Sequence, residues 1–236
     1  VNLDHQVLND AEGGNKMDVL LVAVKKEIVN SYAYAIEAAG LTPAVLDVDY
    51  FALENMYEAN YLTDNESGLV ALIHIGAQYT SITFLQNGVS IFTGDLPLGG
   101  AFFSDQLARA LGVTLEAAEA VKVNCLLEGK NRQQFEATLR SASEELAEEI
   151  KRTVSLYGAA PSDDGDGLKT IYMSGGGAKL AILRRALEER IGVPAHMSEP
   201  FRGFSVNRNL NPDYLAESAP YFAIAAGLSI RRPGDR

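Results

Sequence analysis

The sequence predicts a mixed α/β protein, and three observations carry that prediction. Residues 19–24, 69–75 and 170–173 are short apolar runs bounded by glycine or polar breaks, as strands are. Residues 103–111, 115–127 and 135–157 hold apolar side chains at helical spacing. The two kinds of segment follow one another along the chain, so a sheet covered by helices is the expected architecture. At 236 residues the chain can bury a real core in one large domain or two small ones without a disulfide or a metal.

Val1, Leu3, His5 and Val7 alternate and predict a strand, and residues 9–16 are a polar, glycine-containing break. Residues 19–24 form a second strand. From Lys25 the period changes, and Ile28, Tyr32, Ile36 and Ala39 mark a helix that stops at Gly40. A third strand is predicted over residues 43–48. Residues 1–48 thus read as a compact unit of two or three strands and one helix, and the same pattern also suits part of a larger sheet.

Phe51, Leu53, Met56, Tyr57 and Leu62 place a helix over residues 49–62, and the polar residues 63–68 form a boundary. Beyond it, residues 69–75 and 80–85, the Asn87-Gly88 dipeptide and residues 89–93 predict three antiparallel strands, because Asn-Gly is the preferred type I′ turn. Three helices follow, the last with Glu144, Glu145, Glu148 and Glu149 on a solvated face. After an acidic loop at 161–167 comes a strand, then Ser174-Gly175-Gly176-Gly177, then a helix through Leu180, Leu183, Leu187 and Ile191. A loop through Pro200, Phe201 and Asn207 leads to a final apolar helix at about 218–230.

Lys and Arg number 20 against 31 Asp and Glu, a net charge of −11 that repels phosphate backbones and anionic headgroups. Nucleic acid and direct membrane insertion are therefore not expected. Cys125 is the sole cysteine, and His5, His74 and His196 are far apart, so neither a disulfide framework nor a zinc site is predicted. A reducing, cytoplasmic compartment fits this usage. No apolar run approaches a membrane span, and residues 1–20 lack a signal-peptide pattern. The chain opens in mid-strand, which reads as an N-terminal truncation.

Two glycine-bearing turns carry the chemistry. Gly76, Ala77, Gln78, Tyr79 and Thr80 lie between two strands, where glycine lets backbone approach a ligand and successive N–H groups can face a phosphate. A tight structural turn explains the same glycine. Gly175, Gly176 and Gly177 lie between strand and helix, which suits a nucleotide but matches neither the P-loop nor the dinucleotide fingerprint. Glu119 and Lys122, at i and i+3, also read as an ordinary surface ion pair. His74 could carry a proton, although a lone histidine is commonly structural. No nucleophile–base set or paired carboxylates can be argued from order alone, so no catalytic residue is assigned.

The order of these signals is more specific than any one of them. Asp49-Tyr50-Phe51-Ala52-Leu53-Glu54, Ile73-His74-Ile75-Gly76-Ala77-Gln78-Tyr79-Thr80, Leu96-Pro97-Leu98-Gly99-Gly100, Ala118-Glu119-Ala120-Val121-Lys122, Tyr172-Met173-Ser174-Gly175-Gly176-Gly177 and Ala223-Ile224-Ala225-Ala226-Gly227-Leu228 occur in the order of the actin-like ATPase family, which the chain resembles over essentially its whole length. Within it the chain is similar to the PilM family of type IV pilus assembly, a relative of the FtsA family.

That resemblance implies an actin-like, ribonuclease H-like fold with an incomplete first lobe. Residues 1–48 would be the inserted 1C-type subdomain and 49–62 a connecting helix. Residues 63–205 would form the second lobe, 2A with a helical 2B insertion at about 114–165, and 206–236 a C-terminal helix returning to the first lobe. It implies ATP with Mg2+ as cofactor. Gly76, Ala77, Gln78, Tyr79 and Thr80 would be the second phosphate loop, Glu119 and Lys122 would reach ribose and adenine, and Gly175, Gly176 and Gly177 would lie against the adenosine. Two departures stand out: the family's first phosphate loop has no counterpart here, and His74 stands where these enzymes place the aspartate that holds the metal-bound water. A neutral imidazole is a poor ligand for Mg2+, so hydrolysis is expected to be weak or absent.

The implied function is a cytoplasmic ATP-binding scaffold, recruited to the inner membrane by the tail of a PilN-like partner, with other pilus assembly components and self-association as further contacts. An FtsA-like filament protein and a sugar-kinase-type phosphotransferase are the alternatives. Tyr221, Phe222, Ile224, Ala225 and Leu228 are too apolar for a solvated helix, so that helix is expected to dock on another copy or on the second lobe, or to stay mobile.

Overall fold

The computed structural model describes residues 1–9, 17–62, 68–124, 129–157 and 167–234. The breaks expected at residues 10–16, 63–67 and 161–166, together with Cys125 and the end of the second helix, lie outside the described residues. The chain divides into two compact units, Val1–Val48 with Ile230–Arg236, and Asp49–Ser229.

In the smaller unit β1 (Asn2–Asn9) and β2 (Asp18–Val24) pair antiparallel, with Leu3 opposite Ala23, His5 opposite Leu21 and Val7 opposite Val19. This register puts the alternating apolar residues of both strands on one face. Helix α1 (Lys26–Ala38) half-buries Val29, Ala33 and Ile36, a stripe at i, i+4 and i+7, and buries no residue fully. Gly40 follows it in the left-handed region, at φ +76°.

The third strand expected over residues 43–48 is not formed. Pro43 has no N–H to give a ladder, and Asp47 accepts a local bond from its neighbour Val48 N at 2.9 Å, an arrangement that competes with strand pairing. The Asp47 carboxylate also lies 2.9 Å from the guanidinium of Arg231.

The larger unit opens with α2 (Asp49–Tyr61) and continues into β3 (Leu69–Ile75), β4 (Thr80–Gln86) and β5 (Val89–Leu96). Asn87 and Gly88 both have positive φ, 53° and 82°, as a type I′ turn requires. Helices α3 (Gly100–Leu111), α4 (Leu115–Asn124) and α5 (Gly129–Leu156) precede β6 (Leu168–Ser174), and a 3₁₀ turn Gly176–Lys179 precedes α6 (Ala181–Ile191) and β7 (Ala195–Met197). The sheet order is β5-β4-β3-β6-β7, antiparallel at β5-β4-β3 and parallel at β3-β6-β7. Strand β7, which the sequence did not signal, is three residues long and too short to show a period, and its pairing with Ile171, Tyr172 and Met173 defines it.

Both faces of this sheet are covered, which explains why β3 is an unbroken apolar run. Ile73, Ile75 and Phe84 pack with Phe103 and Leu107 of α3, Leu146 and Ile150 of α5, and Leu183 and Leu187 of α6. On the other face Val70, Leu72 and Tyr172 pack with Leu53, Met56, Tyr57 and Tyr61 of α2 and with Ala223 and Ala226. The C-terminal apolar stretch is not one helix: α7 (Pro212–Ser218), a 3₁₀ turn Ala219–Phe222 and α8 (Ala223–Ser229) succeed one another around Pro220. Helix α8 docks on α2 so closely that a Cβ at Gly227 would overlap the Ala52 carbonyl. Its small residues face α2, whereas Tyr221 and Leu228 stay exposed.

Candidate functional site

A cavity of about 520 Å³ opens where β3 and β6 end side by side. Its first wall is the turn after β3. The Gly76 N–H donates to Tyr79 O at 3.0 Å and closes the turn, while Gly76 O and Ala77 O accept from the N–H groups of Gly100 and Ala101 at 2.8 and 2.7 Å. The turn is thereby tied to the start of α3. Gly99 permits this, because a Cβ there would lie 2.7 Å from Ala77 O. Gly76 and Ala77 line the cavity, and the N–H groups of Ala77 and Gln78 enter no backbone bond among the described residues. Gln78 and Tyr79 are exposed outside the lining, and Thr80 is buried with its hydroxyl donating to Leu98 O at 2.6 Å.

Gly175, Gly176 and Gly177 form the second wall. Gly175 has φ +80° and donates its N–H to Pro220 O at 2.7 Å. A Cβ at Gly175 or Gly177 would overlap Ile75, so this backbone lies directly on the end of β3. At Gly176 a Cβ would meet only the Tyr221 ring, at 3.1 Å. Lys179 places its Nζ 5.2 Å from the centre of that ring and 3.9 Å from the Glu217 carboxylate.

The third wall comes from α4, seated by the fully buried Ala118. Lys122 extends its ammonium to three acceptors: Gly100 O at 2.8 Å, Ser104 Oγ at 2.8 Å and Glu119 Oε2 at 2.7 Å. Ser104 Oγ also donates to Glu119 Oε2. The Lys122 side chain is only 10% exposed, that of Glu119 50%. Burial pushes the Glu119 pKa up, but the hydrogen bonds from Lys122 and Ser104 and the lysine charge outweigh it and hold the group below the usual carboxylate range. This is therefore not the solvated ion pair that the i, i+3 spacing alone suggests.

His74, at the end of β3, lines the same cavity, and its Nδ1 is 2.9 Å from Ser174 Oγ. Burial lowers its pKa and the charge of Asp49 only partly opposes this, so the imidazole is neutral at physiological pH. Among the described residues no group of three or more His, Cys, Asp or Glu is placed to hold a metal.

Seven of the ten residues singled out from sequence line this cavity: Gly76, Ala77, Glu119, Lys122, Gly175, Gly176 and Gly177. Sequence reasoning missed Ser104, Lys179 and Tyr221. Ser104 and Lys179 carry no local signal, and Tyr221 reads as helix packing; only the Gly99-Gly100 step hinted at the close approach of α3.

The chain is similar to the structure of a PilM-PilN type IV pilus biogenesis complex, with TM-score 0.81 and 28% identity over 98% of this chain and 66% of that one. Ethanolamine utilization protein EutJ from Carboxydothermus hydrogenoformans matches with TM-score 0.61 and 18% identity, covering 88% of this chain and 62% of the other. MreB5 of Spiroplasma citri bound to AMPPNP matches with TM-score 0.59 and 13% identity, covering 88% and 65%. These last two show the shared actin-like fold.

In sequence, cell division protein FtsA of Staphylococcus epidermidis is 30% identical over 107 residues, which are 45% of this chain. The chain spans just under two thirds of the matched PilM chain and 22% of FtsA. The model of the family described as type IV pilus assembly protein PilM matches residues 1–233, so the chain belongs to the PilM family.

Proposed function

We propose that this chain is an ATP-binding scaffold of type IV pilus assembly that works on the cytoplasmic face of the inner membrane and grips the tail of a PilN-like protein. The observation that supports it most is the cavity itself. It joins, at the ends of two parallel strands, a turn with free N–H groups, a triple-glycine wall without side chains and a partly buried carboxylate–ammonium pair. Its volume of about 520 Å³ suits a nucleotide. Ala77 and Gln78 would face the phosphates, Glu119 the ribose, and Gly175, Gly176 and Gly177 the adenosine. Mg2+ would arrive with the triphosphate, whose charge it neutralises.

The neutral His74 supports a protein that binds ATP and hydrolyses it slowly if at all. The partner is read from the PilM-PilN likeness, and no helix among the described residues is long and apolar enough to cross a membrane. Titration calorimetry of the full-length protein with Mg-ATP, followed by a PilN-type tail peptide, tests both parts. Saturable binding of each supports the scaffold, and phosphate release at about 1 per second or faster would replace it with an enzyme. The FtsA likeness favours a filament-forming protein as the second reading, distinguished by ATP-dependent sedimentation.

A further inference from the structure

At the end of the cavity where β3 turns, the side chain in the lining is an imidazole. His74 Nδ1 lies 2.9 Å from Ser174 Oγ, so one edge of the ring is tied to the end of β6. The other edge faces the glycine turn, because a Cβ built at Gly76 would lie 3.9 Å from His74 Nε2. Nε2 thus stands at the turn whose Ala77 and Gln78 N–H groups enter no backbone bond among the described residues.

A protein site for Mg2+ is built from oxygen ligands, usually with one or two carboxylates. Among the described residues that line the cavity, Glu119 is the one carboxylate, and its Oε2 already accepts from Lys122 and Ser104. Lys122 and Lys179 bring two ammonium groups into the same lining, and Asp49, whose charge reaches His74, stays outside it. These residues do not fit a divalent cation held by the protein. They fit an anion met by N–H donors.

We propose that His74 donates its Nε2–H directly to a phosphate oxygen of the bound nucleotide, and that the site takes the nucleotide without requiring a divalent cation. The proposal rests on the nucleotide reading above and deepens it at the phosphate end. A phosphate oxygen only accepts, so this contact selects the tautomer with its proton on Nε2, in which the Ser174 hydroxyl donates to Nδ1. Ser174 is buried, which fixes the direction of the ring. The protein contributes no ligand to Mg2+ that arrives on the triphosphate. A carboxylate in place of this imidazole would repel the phosphates unless a cation stood between them, and that sets the test.

ATP is titrated into the full-length protein, His74→Asp and His74→Gln, once with Mg2+ and once with excess EDTA, and the imidazole signals are followed by NMR. The affinities of the parent in the two conditions should agree within about threefold. His74→Asp should bind about tenfold or more weakly in EDTA and recover with Mg2+. His74→Gln, whose amide still donates, should stay indifferent to the metal. With only His5, His74 and His196 in the chain, the His74 signal is the one that vanishes in His74→Gln. In the parent its Nε2 resonance should shift on saturation with ATP in EDTA. A parent that loses about tenfold or more in EDTA overturns the proposal and leaves the nucleotide reading standing. So does a His74 resonance that ATP does not move, or a folded His74→Asp that ignores EDTA. Should His74→Asp fail to fold, the parent titrations and the resonance decide. A folded parent that binds no ATP in either condition removes both readings.

Discussion

On one side of the cavity Gly175 and Gly177 lay backbone directly on Ile75, whereas on the other Glu119, Lys122 and Ser104 meet only through side-chain atoms. The glycine wall is set by excluded volume: any side chain at two of its positions would occupy space that β3 already fills. The α4 wall is set by charge and hydrogen bonding. Damage to the glycine wall should therefore cost stability through steric overlap, and damage to the α4 wall a smaller amount through acceptors left unpaired.

Gly177→Val tests the contrast most severely. Its Cβ would overlap the Ile75 side chain, which lies in the main core, and the cost should be about 3 kcal/mol in chemical denaturation. A cost under about 1 kcal/mol would show that the wall can give way. Lys122→Ala comes next. It removes the donor shared by Gly100 O, Ser104 and Glu119, and should cost about 1 to 3 kcal/mol, visible as a lowered denaturation midpoint.

Gly176→Val sharpens the comparison because it sits in the backbone wall but meets only the movable ring of Tyr221. Stability should fall by less than about 1 kcal/mol while ATP affinity drops about tenfold or more in calorimetry. Loss of fold instead would place Gly176 with its neighbours.

The smallest expected effect concerns pH. The folded-state pKa of His74 is below the ordinary value of 6.5, so the unfolded chain takes up the proton first. Stability from this residue is fully present above 6.5 and is lost progressively as the pH drops below it. His74→Gln should flatten that part of the stability curve, and an unchanged slope between pH 7 and 5 would show that the imidazole is not held neutral. Glu119 acts in the same direction at lower pH, its stabilisation being lost only below the usual carboxylate range.

How far the fold could be read ahead depended on whether a segment is long enough to display its pattern of burial. β3, β4 and β5 were legible because seven or eight residues show their pattern and Asn87-Gly88 names its turn. Residues 43–48 misled because their apolar pattern does not show that Pro43 lacks an N–H for a ladder or that the Asp47 carboxylate takes the next backbone N–H, and β7 was missed because three residues cannot display alternation. In the site the glycines were legible as places where backbone must come close. Ser104 was not, since a serine one turn into an amphipathic helix looks the same whether it faces water or Lys122.

By itself, then, the sequence determined the alternation of strands and helices, the hairpin, the two glycine-bearing turns and the family to which their order belongs, because each of these is encoded within a few neighbouring residues. Only the tertiary structure decided that Gly76, Gly175 and Glu119 share one cavity, that Lys122 is saturated by α3 and Glu119, and that α8 rests on α2 through Gly227. Those facts depend on which atoms distant segments bring within 3 Å of one another, and no local period or composition carries that distance.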